Sequence, residues 1–185
     1  MTEVMMDRIS WVEYQRRMNE DAPVLFLPCG SLEQHGPHLP LGVDAMLSTA
    51  VAKDAAKLVN GLVAPALSYG YKSQCRCGGG QHFPGTTSLD GDHLSQMVRD
   101  VIREFYRHGA RTVVLVDGHY ENQWFLTEAI ETALRELTLA DVRRKIYRAD
   151  ALRSSQKLVI GIFVASLFGC VAPIVLIIAL VSSLA

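Results

Sequence analysis

Hydrophobic positions along this chain alternate between short unbroken runs and longer stretches spaced three and four residues apart. The first pattern predicts buried strands and the second predicts amphipathic helices. Ile9 to Met18 carries apolar residues at helical spacing, with Ser10 available as a cap. Val24 to Cys29 (VLFLPC) is a continuous apolar run closed by Pro28 and Gly30, which fits a buried strand. Asp44 to Val59 is alanine-rich at helical spacing and stops at Asn60-Gly61. Leu62 to Leu67 is a second strand candidate, interrupted by Pro65. Asp90 to His108 puts Leu94, Met97, Val98, Val101, Ile102 and Phe105 on one stripe, with Gly109 after its end. Thr112 to Val116 (TVVLV) is the clearest strand, and Gln123 to Leu137 is a helix beyond the turn at Asp117 to Asn122. This alternation predicts an α/β fold with a mainly parallel sheet flanked by helices. In such sheets the chemistry gathers in loops at the carboxyl ends of the strands.

The last part of the chain breaks the pattern. From Leu158 to Ala185 there are 28 residues without a charge, and 22 of them are hydrophobic. A run of this length predicts a single apolar helix over Leu158 to Leu184, able to span a bilayer, with Pro173 as a kink. Arg148, Arg153 and Lys157 precede it, which under the positive-inside rule places the rest of the chain in the cytoplasm. Three regions follow from this: 1–140 as the soluble domain, 141–157 as a basic linker and 158–185 as the membrane segment. The remaining composition is ordinary for a soluble domain. A net charge of −1 argues against a nucleic-acid partner, which needs a basic surplus. The N-terminus has no apolar core of a signal peptide. Four cysteines, of which only Cys75 and Cys77 are close, read as free thiols.

Two post-strand loops carry related triplets. Glu33-Gln34-His35 follows the first strand, with Asp44 at the end of the same loop, and His119-Tyr120-Glu121 follows TVVLV. In extended backbone, residues i and i+2 point to one side, so Glu33 with His35 and His119 with Glu121 can each face one point. Two imidazoles and three carboxylates suit zinc or manganese. Five ligands exceed what one tetrahedral ion takes, and a two-metal site with a bridging carboxylate uses them all. His82 and the PGTTS run shape the loop roofing the site, and His38 is a candidate for orienting a ligand. His93, His108 and Trp124 read as surface or packing residues, and Gly78-Gly79-Gly80 lacks the Lys of a phosphate loop.

The stretches LPCGSLEQHGPHLPLGVD, YGYKSQ, GGGQHFPGTTSLDG and HGARTVVLVDGHYEN resemble the creatininase family, over about Trp11 to Leu137. The resemblance implies a three-layer αβα domain, a homohexamer and two zinc or manganese ions per site. It assigns Glu33, Asp44 and His119 to one ion and His35, Asp44 and Glu121 to the other. It gives catalytic roles to Glu121, His119 and Tyr120, and substrate contacts to Tyr120 and Cys77; Cys77 stands where a serine is expected. The implied reaction is hydrolysis of creatinine to creatine by a hydroxide held between the ions. The family pattern continues beyond Leu137 with tryptophans and a His/Glu motif. Here no His follows His119 and no Trp follows Trp124. The alternative expectation is therefore a truncated, catalytically impaired metal-binding chain anchored to a membrane.

Overall fold

The computed structural model describes residues 3–77, 79–147, 159–163 and 177–179. Its elements are α1 (Trp11–Glu20), β1 (Val24–Cys29), α2 (Val43–Leu58), β2 (Gly61–Val63), α3 (Gly91–Arg107), β3 (Thr112–Asp117), α4 (Gln123–Tyr147), β4 (Val159–Phe163) and β5 (Ile177–Ala179). Short 3-10 turns occur at Met6–Arg8, Cys75–Cys77 and Tyr120–Asn122. Ser10 caps α1, its Oγ accepting the Glu13 N–H at 3.2 Å. The second strand is shorter than its apolar run because it ends before Pro65, which has no N–H to give a ladder. Helix α4 runs ten residues past Leu137, to Tyr147, so residues 141–147 of the basic stretch are helical.

The sheet order is β2-β1-β3-β4-β5. Strands β1 to β4 run parallel, with Val24 opposite Gly61 and Thr112, and Cys29 opposite Asp117. Side chains alternate across this sheet as the pleat requires. Leu25, Leu27, Cys29, Val113 and Leu115 face a core shared with Met18, Leu94, Val98, Ile102, Leu126 and Ile130, which places α1, α3 and α4 on one face. Phe26, Val63, Val114 and Val116 face the other way, against Ala52 and Ala56 of α2. The result is three layers, with β1 and β3 at the centre.

The apolar tail departs from its expected form. Val159–Phe163 is not helical: it is β4, parallel to β3 with Thr112 opposite Val159 and Val116 opposite Phe163. Ile177–Ala179 returns antiparallel to it as β5. The physical reason lies in the run itself. VIGIF is short and β-branched, with glycine at its centre, and such a run satisfies a buried strand as well as a helix. Pairing with β3 satisfies backbone groups that a membrane helix would satisfy internally. Among the described residues no helix is long and apolar enough to cross a membrane. The other positions of the expected membrane segment, 158, 164–176 and 180–185, and residues 148–157 of the expected linker, lie outside the described residues.

Candidate metal centre

From β1 the chain passes through α2 to β2 on one side, then returns through α3 to β3 on the other side of β1. Loops leaving β1 and β3 therefore diverge, and the crevice between them is where an open parallel sheet binds its ligands. Glu33 and His35 stand in the loop after β1, Asp44 in the first turn of α2, and His119 and Glu121 just after β3. The helix reaches the crevice because position 118 is glycine. A Cβ on Gly118 would lie 2.3 Å from the Asp44 carbonyl oxygen.

Ligating atoms of Glu33, His35 and Asp44 lie within 4.8 Å of one another. His119 Nδ1 is 3.1 Å from both Glu33 Oε2 and Asp44 Oδ2. His35 Nε2 is 3.3 Å from Asp44 Oδ1 and 3.9 Å from Glu33 Oε2. The two carboxylate oxygens of Asp44 thus face two different imidazoles. Glu121 stands one step outside this tight group: its Oε2 is 3.5 Å from His119 Nε2, and its Oε1 accepts the Gln74 N–H at 3.1 Å.

Both histidines point a lone pair inward when neutral. His119 Nε2 is 2.9 Å from the Tyr71 carbonyl oxygen, and His35 Nδ1 is 3.1 Å from the Glu33 carbonyl oxygen. A carbonyl only accepts, so those nitrogens carry the hydrogen. Nδ1 of His119 and Nε2 of His35 are left facing carboxylates. Acceptors facing acceptors require a cation or a proton between them. Asp44 Oδ2, buried with no directed hydrogen bond, marks the same need. This donor set of imidazole nitrogens and carboxylate oxygens fits zinc or manganese.

The electrostatics agree. Burial alone would lower the His119 pKa, but Asp44 and Glu33 beside it, with Glu121 further off, raise it to about 10. Burial pushes Glu33 up, yet hydrogen bonds from His119, Ser73 and the Gly80 N–H outweigh it and hold Glu33 at about 2. Asp44 goes the other way: burial raises it, and Glu33 adds to that, against the pull of His119 and His35. Its Oδ2 lacks the extra donors that Glu33 has.

Several residues at the centre escaped the sequence analysis. Ser73 Oγ donates to Glu33 Oε1, which also accepts the Gly80 N–H at 3.1 Å. Asp117, fully buried at the end of β3, accepts the His119 N–H on Oδ1. Burial pushes it up to about 7 even so, against the His119 N–H and the Asn122 amide. Asn122, also fully buried, touches three loops. None of the four belongs to a charged triplet; Ser73, Gly80 and Asn122 act on partners distant in sequence and Asp117 through a backbone N–H, so spacing gave no signal.

Of the other candidates, Tyr120 is half exposed and meets Trp124 edge to face, ring centroids 5.8 Å apart. The backbone of Cys77 closes the 3-10 turn that precedes the Gly79-Gly80 corner. The PGTTS run lies against the first loop, Thr87 N–H donating to Leu32 O at 2.9 Å and Thr86 Oγ1 accepting the Gln34 N–H at 3.2 Å. His38, His82, His93 and His108 are exposed.

Comparison with known proteins matches residues 7–166 to the family model described as creatinine amidohydrolase. A creatinine amidohydrolase of Pseudomonas putida is 53% identical over 140 residues, which cover 76% of this chain and 54% of that protein. A Zn-Zn type creatininase variant superposes with a TM-score of 0.73 at 52% identity, covering 76% of this chain and 55% of the other. A manganese creatininase structure gives 0.74 at 48% identity, covering 86% and 58%. The chain spans about half the length of the curated relative it matches.

Proposed function

This chain belongs to the creatininase family, and on that premise we propose that it is a metal-dependent amidohydrolase that opens a cyclic amide, creatinine, to creatine. The observation that carries the reading is the convergence of ligating atoms at the β1–β3 crevice: the carboxylates of Glu33 and Asp44 and one ring nitrogen each of His35 and His119. Glu33, Asp44 and His119 would hold one ion, and His35, Asp44 and Glu121 the other. The facing of each Asp44 oxygen toward a different imidazole supports the bridging role.

Zinc or manganese in these positions supplies a Lewis acid for the scissile carbonyl and a water of lowered pKa. The chain's own residues do the rest. Ser73 and the Gly80 N–H fix Glu33 Oε1, which keeps Oε2 turned toward His119. The Tyr71 and Glu33 carbonyls hold each imidazole in one tautomer, so no reorganisation precedes binding. Tyr120 and Cys77 are proposed to line the substrate's place, Tyr120 braced by Trp124. Hydrolysis breaks the ring C–N bond, adds hydroxide to the carbonyl carbon and delivers a proton to the departing nitrogen. A homohexamer belongs to the same proposal, as does assignment of the hydrolase to residues 1–140.

The test is creatine formation by the purified chain, first stripped of metal and then supplied with zinc, manganese or neither. Creatine production that requires metal supports the proposal. A chain that takes up two ions yet forms no creatine above the free-metal control refutes the assignment of activity while leaving the metal centre standing.

A further inference from the structure

Asn122 follows Glu121 directly and is fully buried. Its Oδ1 accepts the Tyr71 N–H at 2.8 Å, and its Nδ2 donates to the Gly30 carbonyl and to Asp117 Oδ1, each at 3.1 Å. The amide can be oriented only this way round, because Tyr71 N–H can only donate while the Gly30 carbonyl only accepts. One side chain therefore ties together the segment leaving β1, the segment after β2 and the end of β3. The approach is close enough to exclude a side chain at position 70, where a Cβ would lie 2.7 Å from Asn122 Oδ1.

Two of these bonds lead to His119. The Tyr71 residue whose N–H Asn122 holds is the one whose carbonyl receives His119 Nε2. The Asp117 oxygen that Asn122 holds also receives the His119 backbone N–H at 3.1 Å. The Asn122 backbone N–H in turn donates to the His119 carbonyl at 3.0 Å. Ring and backbone of the histidine are thus located by one neighbour that cannot itself reach the lone-pair nitrogen. We propose that Asn122 is a positioning residue for the metal centre: by fixing the Tyr71 carbonyl and Asp117, it holds His119 with Nδ1 turned toward Glu33 and Asp44.

The inference rests on the metal reading above. Partners that orient a metal-ligating histidine typically contribute about 10–100-fold to affinity. Asn122→Asp keeps the shape, cannot donate to Gly30, and sets a carboxylate against Asp117. Asn122→Ser shortens the side chain and serves where the aspartate variant does not fold. Zinc affinity, measured against a competing chromogenic chelator, should fall about 10–100-fold in either variant. ¹⁵N NMR of the zinc-loaded protein should show hydrogen only on Nε2 of His119 in the wild type and a mixture of tautomers in the variant. Val98→Ala, in the core on α3 and remote from the loops, controls for lost stability: it should lower the melting temperature without changing zinc affinity. Zinc affinity within twofold of wild type in the Asn122 variants, or an equal loss in Val98→Ala, would overturn the inference and leave the metal centre intact. A wild-type chain that takes up no zinc would overturn both.

Discussion

His119 lies between Asp44 and Glu33 on one ring edge and the Tyr71 carbonyl on the other, and without an ion it retains a second proton well above neutrality, to about pH 10. The unfolded value is about 6.5. A raised pKa means that this group's stabilisation is fully present below about 6.5 and is lost as pH rises through about 10. The metal-free chain should therefore lose denaturation free energy across that window, and His119→Gln should flatten the slope. Glu33 works at the opposite end: held at about 2, it stabilises above its ordinary value and the effect is lost as pH falls through about 2. Zinc must displace the His119 proton, so loading at pH 8 should release close to one proton for the first ion. Titration calorimetry in buffers of different ionisation enthalpy reads this directly, and a buffer-independent enthalpy would contradict it. Asp44→Ala should be the most damaging single change to metal content, because it removes a ligand proposed for both ions; elemental analysis showing two ions still bound would exclude the bridge. The E-x-H and H-x-E spacings made these side chains legible, since i and i+2 share a side in extended backbone. Ser73, Gly80 and Asn122 were not legible, because each acts through a partner in another loop, and Asp117 was not, because it acts on the His119 backbone N–H.

Among the elements, the strands and helices up to α4 follow the period of their hydrophobic residues, within a few residues at the ends. Boundaries moved where local chemistry intervened, as at Pro65 after β2. The misreading came where period carries no information: an uncharged run is apolar on every face, whether strand or helix. β4 lies between β3 and β5 and is an interior strand. Ile162→Pro would remove a ladder N–H there and should cost about 3 kcal/mol, seen as a lower urea midpoint. No change in that midpoint would argue that the strand pairing does not form. The seat of α2 supplies a second test. Gly118→Ala places a methyl against the Asp44 carbonyl and should push the helix start away from β3. A loss of about 1–3 kcal/mol is expected for overpacking of this kind, together with weaker zinc binding. A variant with wild-type zinc affinity would show that Asp44 reaches the crevice without that close approach.

Across the whole molecule, the buried ligands Glu33, Asp44 and His119 sit beside an exposed pair, Tyr120 at 47% and Trp124 at 60% exposure. Ring opening needs a proton at the leaving nitrogen, and a well-placed general acid contributes about 10²–10⁴-fold. Among the described residues, none of the exposed histidines lies in hydrogen-bond contact with the carboxylates of the centre. If the proposed creatinine hydrolysis holds, a centre without such an acid in place should turn over slowly even with both ions bound, by about 10²–10⁴-fold relative to one that has it. Where no histidine among the described residues is placed to give that proton, one supplied from solution should help. At fixed pH and ionic strength, the rate should rise with the concentration of added imidazole buffer, because imidazolium near its pKa is a competent acid. A rate that is independent of buffer concentration would mean that the chain delivers the proton itself. Tyr120→Phe would then be the variant to make, and a further fall in kcat without a change in metal content would identify the donor.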